Sequence, residues 1–246
     1  MVVFLSILTN FVFFCFGYLI GSLNTSIIIG KLFYKVDIRT FHSGNAGSTN
    51  AERVFGSKIS SIILTIDIFK SILSVVIAFF IQKSINDFLV NPNTDPNVDF
   101  EAVSLVNSQL YLYPTIGGLG NVIGHIFPLF YNFKGGKGVA STIGVLATIN
   151  IILVPIFLFI YYFVLWLKKY VSLASCSSVI ITGLFILIPW IPSGILGYFN
   201  NVSMQGFWII FIVYLPILFL VCFAHRENFV RIINKTERKK EIKFWK

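Results

Sequence analysis

The sequence predicts an all-α integral membrane protein: a bundle of about seven transmembrane helices, with the N-terminus outside and the C-terminus cytoplasmic. Hydrophobic residues make up 56% of the 246 residues and charged residues only 12%, a balance typical of membrane proteins. Apolar stretches long enough to cross a bilayer recur along the chain, so residues 1–246 are expected to form a single polytopic membrane domain. The basic residues cluster on one predicted side of these stretches.

The predicted spans are apolar runs of about 20 residues, the length that a helix needs to cross a bilayer. Five runs are clear: Val2–Gly30, Ile59–Ile81, Leu110–Tyr131, Leu173–Ile191 and Phe207–Ala224. The first run lacks a positively charged leader and is too long for a signal-peptide core, so we expect it to be retained as a span. The run Val139–Leu167 is either one long tilted helix or two short helices that meet near Pro155, a helix breaker.

The distribution of Lys and Arg favours two crossings in this ambiguous run. With the N-terminus outside and the run crossing twice, all but two of the 19 basic residues fall on the cytoplasmic side, and the exceptions are Lys70 and Lys83. A single crossing would instead place Lys168 and Lys169 outside. The favoured arrangement has seven spans and a positively charged cytoplasmic face that anionic lipids attract.

Two polar segments lie outside the predicted spans. Residues 82–108, which contain several acidic side chains and two prolines, are predicted to form a solvated external loop, and residues 225–246 a basic cytoplasmic tail. No soluble module remains to read a nucleic-acid groove, so nucleic acid is a poor candidate partner. The three cysteines lie in apolar runs without metal-ligand spacing, and their odd number argues against a disulfide framework.

The first polar cluster is the stretch SGNAGSTN at residues 43–50, in which every residue is small or carries an amide. Its glycines allow backbone conformations closed to other residues. Its hydrogen-bonding side chains and the cation that follows are Ser43, Asn45, Ser48, Thr49, Asn50 and Arg53. A turn and a short helix capped by Thr49 or Asn50 would explain one or two of these residues, whereas a binding site explains the whole set.

The second cluster is the loop Lys134–Gly138, which places two lysines and three glycines between apolar stretches. Successive glycine N–H groups can form a concave anion site, and a helix that starts near Val139 directs its N-terminus to the same place. The pattern favours a phosphate or an oxyanion, without the spacing of a Walker A loop. A glycine turn whose lysines mark the membrane boundary is the alternative. The three glycines are Gly135, Gly136 and Gly138.

The third cluster begins where the last span ends. At helical spacing, His225, Asn228 and Arg231 share one face of a helix that leaves the membrane. The remaining lysines of the tail are expected to be solvated or to touch lipid.

Three ionisable residues lie inside predicted spans, where charge is costly. Asp67 and Lys70 are three residues apart, and pairing of the two is the favoured role for Asp67, while the role of Lys70 is left open. His125 follows a series of glycines whose small surfaces suit close helix packing. It is either a histidine bonded within the bundle or a catalytic residue.

Together these segments resemble the PlsY family of acyl-phosphate:glycerol-3-phosphate acyltransferases of bacterial membranes. The matching segments follow in order: GSLNTSIIIGK and DIR, SGNAGSTN with Arg53 and Gly56, DIFK, GHIFPLF with FKGGKGVAS, VSLAS, and HRENFVRI with TER. The departures are local. The family usually has glycine where His42 and Lys235 stand, proline or a small aliphatic residue at Ala46, and alanine at Ser48.

The resemblance implies a reaction. A fatty acyl group would pass from acyl phosphate to the 1-hydroxyl of glycerol 3-phosphate, giving lysophosphatidic acid and phosphate in the first acylation of phospholipid synthesis. Acyl phosphate, glycerol 3-phosphate and membrane lipid would be the partners of a multi-pass cell-membrane enzyme with its active site on the cytoplasmic face. Because an acyl phosphate is already activated, no cofactor, metal or covalent intermediate is required.

The resemblance also implies roles for the polar residues. Ser43 and Arg53, with Lys137, would hold the glycerol phosphate and the developing charge. His225 and Asn228 would orient glycerol 3-phosphate, and the proton acceptor would be either His225 or a substrate phosphate. The glycine loop would hold the acyl-phosphate end and stabilise the carbonyl oxyanion. The implied substrate-binding residues are Asn45, Thr49, Asn50, Gly135, Gly136, Gly138, Ser172, Ser175 and Arg231.

Two other classes fit the sequence less well. A transporter for an anionic solute should carry polar residues toward both faces, together with an inverted repeat, whereas the polar clusters lie on one predicted side. A membrane alcohol phosphotransferase would need several spaced aspartates for metal, and Asp67 is the only acidic residue within a predicted span.

Overall fold

The computed structural model describes residues 2–90, 111–194, 196–197, 199 and 206–240, and the regular structure in these residues is helical throughout. Short 3-10 turns at Ile38–Thr40 and Leu129–Tyr131 precede the first and second polar clusters. The α-helices of the described residues are α1 Val2–Ser22, α2 Thr25–Phe33, α3 Ser48–Phe55, α4 Ser57–Val90, α5 Thr115–Ile126, α6 Val139–Ile149, α7 Leu153–Lys168, α8 Val171–Phe185, α9 Trp190–Ser193, α10 Phe207–Ala224 and α11 Arg226–Ile233.

The helices confirm the all-α membrane class. In the described residues, three stretches are long and apolar enough to cross a membrane: Val3–Phe33, Ser57–Asp87 and Phe207–Ala224. The last of these matches a predicted span residue for residue. α6, α7 and α8 are shorter apolar helices of 11, 16 and 15 residues, so the count of seven crossings and the orientation of the termini stay predictions.

The run Val2–Gly30 was expected to form one helix, but the structure divides it into α1 and α2. α1 ends at Ser22, and Asn24 begins α2 because its side chain accepts a hydrogen bond from the N–H of Ile27. The Asn24 amide also donates to the carbonyl of Ala46, 3.2 Å away, and so ties the break to the first polar cluster.

The predicted span Leu110–Tyr131 is wrong in its length, since α5 has only 12 residues. Its glycines pack backbone to backbone against α1, as their small surfaces suggested. A Cβ added to Gly17 of α1 would lie 1.9 Å from the carbonyl oxygen of Gly117, and one added to Gly120 would lie 2.2 Å from that of Phe14. These two helices can therefore cross only where side chains are absent.

The ambiguous run 139–167 forms two helices, but the break is at Asn150 and not at Pro155. The Asn150 side chain donates to the carbonyl of Ile191 at 2.8 Å and accepts from the N–H of Ile152 at 2.9 Å. Pro155 lies in the first turn of α7, where its missing N–H leaves no intrahelical bond unmade. The asparagine, and not the proline, turns the chain.

Two crossings in this run predict a labelling result. In a variant without the native cysteines, Lys168→Cys is expected to resist a membrane-impermeant thiol reagent applied from outside, because two crossings return this residue to the cytoplasm. Lys83→Cys, which is predicted to lie outside, is the matched control and should react readily. Ready external labelling at position 168 would instead favour six spans.

The helix α4 extends further than its predicted span. It continues to Val90, so residues 82–90 of the predicted external loop 82–108 are helical. The side-chain amide of Gln82 is buried and donates to the carbonyl of Leu112 at 3.0 Å, and Ile85 packs on the small core cluster around Phe13. The rest of the predicted loop to residue 108 lies outside the described residues.

The predicted pairing of Asp67 with Lys70 is confirmed. The ammonium of Lys70 lies 3.0 Å from Asp67 Oδ1, which also accepts from the Thr25 hydroxyl at 2.7 Å. The same ammonium donates to the carbonyl of Leu23 at 2.7 Å, in the break between α1 and α2. His125 is buried with Nδ1 3.8 Å from Asp67, and that nitrogen has no hydrogen-bond partner in the described residues.

Candidate active site

A cavity of about 1050 Å³ opens where the three polar clusters meet. It lies between α3, the loop before α6, the junction of α7 with α8, and α11 with the tail that follows. The predicted site residues that line it are Ser43, Asn45, Thr49, Asn50, Arg53, Lys137, Gly138, Ser172, Ser175, His225, Asn228 and Arg231. The fold thus brings together clusters that are far apart in sequence, and leaves Gly135 and Gly136 outside the lining.

Asn50 folds the first cluster. Its amide donates to the carbonyls of Ile38 and Phe41, each at 3.1 Å, and its Oδ1 accepts from the N–H of Ser43 at 3.4 Å. Both ends of this buried amide are bonded to the loop, so Asn50 shapes the loop, and its predicted role in binding substrate stays a prediction. The loop that it shapes exposes Ser43 to the cavity.

The helix α3 begins at Ser48, directly after Gly47, and no side chain caps it. The alternative that Thr49 or Asn50 is present as a cap is therefore wrong. Thr49 lies in the first turn of α3 and is free to line the cavity with Asn45.

Two departures from the PlsY pattern occupy left-handed backbone. His42 has φ 48° and Lys235 has φ 58°, a conformation in which a residue with a Cβ is disfavoured by about 1–2 kcal/mol. These are the positions where the family usually has glycine. The turns at residues 42 and 235 thus keep a left-handed conformation in this chain without glycine, the residue that favours it.

Gly135 and Gly136 do not form the predicted anion site. Their N–H groups donate to the carbonyls of Ile126 and His125, at 3.1 and 2.9 Å, and so are not available to a ligand. Gly136 instead allows its backbone to pack closely against the ring of His125, because an added Cβ would lie 2.1 Å from Nε2 of that histidine. The carbonyl of Gly135 accepts from the N–H of Ala46 at 3.2 Å, which joins the first and second clusters.

Of the anion site predicted for the second cluster, only the part at the start of α6 has N–H groups that are available to a ligand. Gly138 has φ 80°, a left-handed conformation suited to glycine, and with Val139 and Ala140 it lines the cavity. The first N–H groups of a helix have no intrahelical acceptor and carry a partial positive charge. This helix end therefore offers N–H donors to an anion directly beside Lys137.

The third cluster forms a hydrogen-bonded network with Lys137. The ammonium of Lys137 donates to Oδ1 of Asn228. The amide nitrogen of Asn228 donates to one carboxylate oxygen of Glu237 at 2.7 Å, and Nε of Arg231 donates to the other at 2.7 Å. Sequence reasoning missed Glu237, although it stands in the matched segment TER and is an acidic residue in a basic tail.

His225 lies at the bend between α10 and α11 and is buried against the cavity. Its Nδ1 lies 2.8 Å from the carbonyl of Val221, so Nδ1 carries a proton and donates. Burial and the nearby Lys137 lower the pKa of His225 to about 4. The neutral ring therefore keeps Nε2 as an acceptor at neutral pH.

The cations of the cavity are partly desolvated and repel one another. Burial, followed by the charge of Arg231, lowers the pKa of Lys137 to about 8. Loss of hydration and the nearby guanidinium of Arg238 lower the pKa of Arg53. A bound anion would relieve both effects, which is the electrostatic signature of an anion site.

One wall of the cavity is apolar and comes from α7, a helix from which no site residue was predicted. Its residues share one helix face by their spacing: Phe157, Leu158, Tyr161, Tyr162 and Leu165. At the junction with α8, Ser172 is buried, and its hydroxyl has no hydrogen-bond partner in the described residues. The cavity therefore joins a cationic end to an apolar wall.

The fold and the cavity define a multi-pass membrane protein with a site for a negatively charged, partly apolar ligand. The family described as glycerol-3-phosphate acyltransferase matches residues 11–235, and the chain belongs to that family. A glycerol-3-phosphate acyltransferase of Mycoplasmopsis synoviae (strain 53) is 45% identical, covering 99% of this chain and all of the relative. One of Mycoplasmopsis agalactiae is 39% identical and covers 97% of each chain.

Two solved structures are similar to this fold. Both are crystal structures of PlsY (YgiH), an integral membrane glycerol 3-phosphate acyltransferase. The glycerol 3-phosphate form has a TM-score of 0.69 and 29% identity, covering 94% of this chain and 96% of that one. The lysophosphatidic acid form has a TM-score of 0.69 and 26% identity, covering 94% and 95%. The resemblance to PlsY that the motifs indicated is thereby confirmed.

Proposed function

We propose that this glycerol-3-phosphate acyltransferase takes its acyl group from acyl phosphate and places it on the 1-hydroxyl, releasing lysophosphatidic acid and phosphate. The observation that carries the proposal is the cavity, in which a cationic end built on Lys137 adjoins the apolar wall of α7. Both substrates carry phosphate, and only the donor needs an apolar path for its chain. The forms in which the related PlsY was crystallised, with glycerol 3-phosphate and with lysophosphatidic acid, agree with this assignment.

The polar substrate belongs at the first and third clusters. Arg53 and Lys137 neutralise the phosphate of glycerol 3-phosphate, and Ser43 donates or accepts a hydrogen bond at the glycerol end. Asn228, held by Glu237 at 2.7 Å, keeps the ammonium of Lys137 directed into the cavity. These side chains come from three separate segments, so the glycerol hydroxyl is fixed from several sides.

The acyl donor belongs at the start of α6 and along α7. N–H groups near Gly138 can donate hydrogen bonds to the acyl carbonyl oxygen and so stabilise the negative charge that develops on it. The fatty chain then lies along the aromatic and aliphatic residues of α7, toward the lipid. Ser172 and Ser175 line the cavity at the junction of α7 with α8 and would contact the donor phosphate.

The proton of the 1-hydroxyl has two possible acceptors, and the pKa values favour the substrate. Nε2 of His225 can accept the hydroxyl hydrogen bond and so orient the attacking oxygen. With a pKa of about 4 the ring is too weak a base to retain the proton, whereas a phosphate monoester has a second pKa near 6. The ester C–O bond forms as the bond between the acyl carbon and the bridging phosphate oxygen breaks. The leaving phosphate keeps the electron pair of that bond and takes the hydroxyl proton.

The choice of donor predicts a simple assay result. Purified protein with acyl phosphate and labelled glycerol 3-phosphate is expected to form lysophosphatidic acid without acyl-CoA or acyl carrier protein. A parallel reaction with acyl-CoA, under otherwise identical conditions, should give none. Turnover with acyl-CoA and not with acyl phosphate would overturn the proposed donor.

The ionisation of Lys137 is expected to set the alkaline limb of the pH profile of kcat/KM for glycerol 3-phosphate. A lysine is cationic below its pKa, so the free enzyme loses this charge as the pH rises through about 8. We expect kcat/KM for glycerol 3-phosphate to fall about tenfold per pH unit above that point, because kcat/KM reports the ionisation of the free enzyme. In Lys137→Arg the residual activity should lack this limb, and a limb unchanged in the variant would assign it to another group.

The active site is proposed to face the cytoplasm. The cavity is lined by the loop before α3, the loop before α6 and the tail, which the distribution of basic residues places on the cytoplasmic side. The labelling experiment at position 168 also tests this placement, because that residue precedes the α7–α8 junction at the cavity.

A further inference from the structure

The tail after α11 crosses the mouth of the cavity and is held at two points. The first anchor is Glu237, whose carboxylate accepts from Asn228 and from Arg231, each at 2.7 Å. Since both oxygens are used, the backbone at residue 237 is fixed against α11. The acidic side chain is less exposed than its basic neighbours in the tail.

The second anchor lies three residues later and joins the tail to α3 and to the junction of α7 with α8. The ammonium of Lys240 pairs with the carboxylate of Glu52 in α3 at 2.7 Å. The backbone N–H of Lys240 donates to the carbonyl of Lys169, at the junction of α7 with α8, at 2.8 Å. The residues between the two anchors therefore connect α11 to α3 and to the junction of α7 with α8.

Arg238 is held between these anchors and lines the same cavity as Arg53. Glu52, which binds the second anchor, directly precedes Arg53 in α3, so the anchor brings the tail toward that arginine. Within the described part of the chain, neither guanidinium forms an ion pair with a carboxylate. The charge of Arg238 repels that of Arg53, and the nearby carboxylates of Glu237 and Glu52 act in the opposite sense. A bound anion between the two guanidinium groups would offset the repulsion further.

We infer that Arg238 is a further substrate-binding residue, which together with Arg53 binds the phosphate of glycerol 3-phosphate across the mouth of the cavity. Guanidinium groups suit this task because their planar N–H donors match phosphate oxygens in pairs. The tail is then part of the substrate site and not merely a solvated extension. The inference rests on the proposed placement of glycerol 3-phosphate in this cavity.

The surroundings of the arginine pair favour glycerol 3-phosphate over acyl phosphate. Near Arg53 the lining is polar and comes from the first cluster, including Ser43, Asn45 and Thr49. A small substrate that is polar throughout fits there. The donor must keep its chain on the apolar wall of α7 and its phosphate near Gly138, at the start of α6.

Equilibrium binding without any acyl donor tests the inference. The dissociation constant of glycerol 3-phosphate should rise at least about tenfold in Arg238→Ala, since the variant loses charge-assisted hydrogen bonds to the phosphate. Arg238→Lys should recover part of the loss. Lys239→Ala is the matched control, because Lys239 also lines the cavity but its ammonium lies over the ring of Tyr170, 6.0 Å from the ring centroid. The control should stay within about twofold of the wild type, as expected for an exposed charge.

Kinetics then separate the two substrates. In Arg238→Ala we expect the KM for glycerol 3-phosphate to rise and the KM for acyl phosphate to stay unchanged. An unchanged dissociation constant, an equal loss in Lys239→Ala, or an increase confined to the KM for acyl phosphate would each overturn the inference. Failure of the wild-type protein to bind glycerol 3-phosphate would instead contradict the proposed function, so the two failures are distinguishable.

Discussion

Lys137→Ala is expected to lower kcat/KM about 10²–10³-fold, the loss seen when a preorganised donor to developing charge is removed. The ammonium of Lys137 lies at the centre of the cavity, between the start of α6 and Asn228. Alanine removes the cation and also leaves Oδ1 of Asn228 without its donor. Initial rates with acyl phosphate and glycerol 3-phosphate, measured on detergent-purified protein, give the ratio directly.

Lys134→Ala is the matched control for this loss. It removes the other lysine of the same loop, whose side chain is exposed and does not line the cavity. Its backbone carbonyl, which accepts from Arg39 at 3.2 Å, is kept in the variant. We expect near wild-type rates, and equal losses in the two variants would mean that total loop charge matters and not the position of Lys137.

Gly17→Ala is expected to cause the largest loss of stability, about 3 kcal/mol or more. The added Cβ would lie 1.9 Å from the carbonyl oxygen of Gly117. Because that atom is backbone in α5, it cannot rotate away, and the two helices must separate. Thermal unfolding in detergent should show a markedly lower midpoint, together with partial loss of folded protein during extraction.

Val12→Leu on the same helix serves as the comparison. Val12 is 49% exposed in the bundle, so the larger side chain meets lipid or detergent instead of a neighbouring helix. We expect an unfolding midpoint close to that of the wild type. If both variants unfold at the same temperature, close packing of α1 on α5 does not limit stability.

The sequence predicted helices well where one run was uniformly apolar, and poorly where a buried polar side chain acts on the backbone. α10 follows its predicted span without error. By contrast, Asn24 interrupts the first predicted helix and Asn150 splits the run 139–167, each through side-chain bonds to backbone groups that are distant in sequence. Hydropathy does not register such bonds, because an asparagine in an apolar run looks the same whether it breaks the helix or not.

The meeting of the three clusters was predictable, while the task of each polar group was not. Short polar side chains grouped on one predicted face indicated a common site, and the cavity bears this out. The sequence did not indicate that the Asn50 amide and the Gly136 N–H donate their hydrogen bonds to backbone carbonyls of the fold itself. Nor did it reveal the partners of Glu237, which lie six and nine residues earlier in α11, or the α7 wall, which depends on how distant segments pack.

The shortness of α6 has a consequence for the medium in which the reaction takes place. Its 11 residues make a helix about 16 Å long, roughly half of a hydrocarbon layer about 30 Å thick. We therefore expect this helix to cross only where the bilayer is thinned, or where the end that carries Gly138 lies below the headgroup plane. There the effective dielectric constant is lower than in water, so each contact between an N–H group and a phosphate is stronger. Under the proposed function, a lipid-anchored acyl phosphate would reach such a recessed site without lifting its carbonyl out of the bilayer.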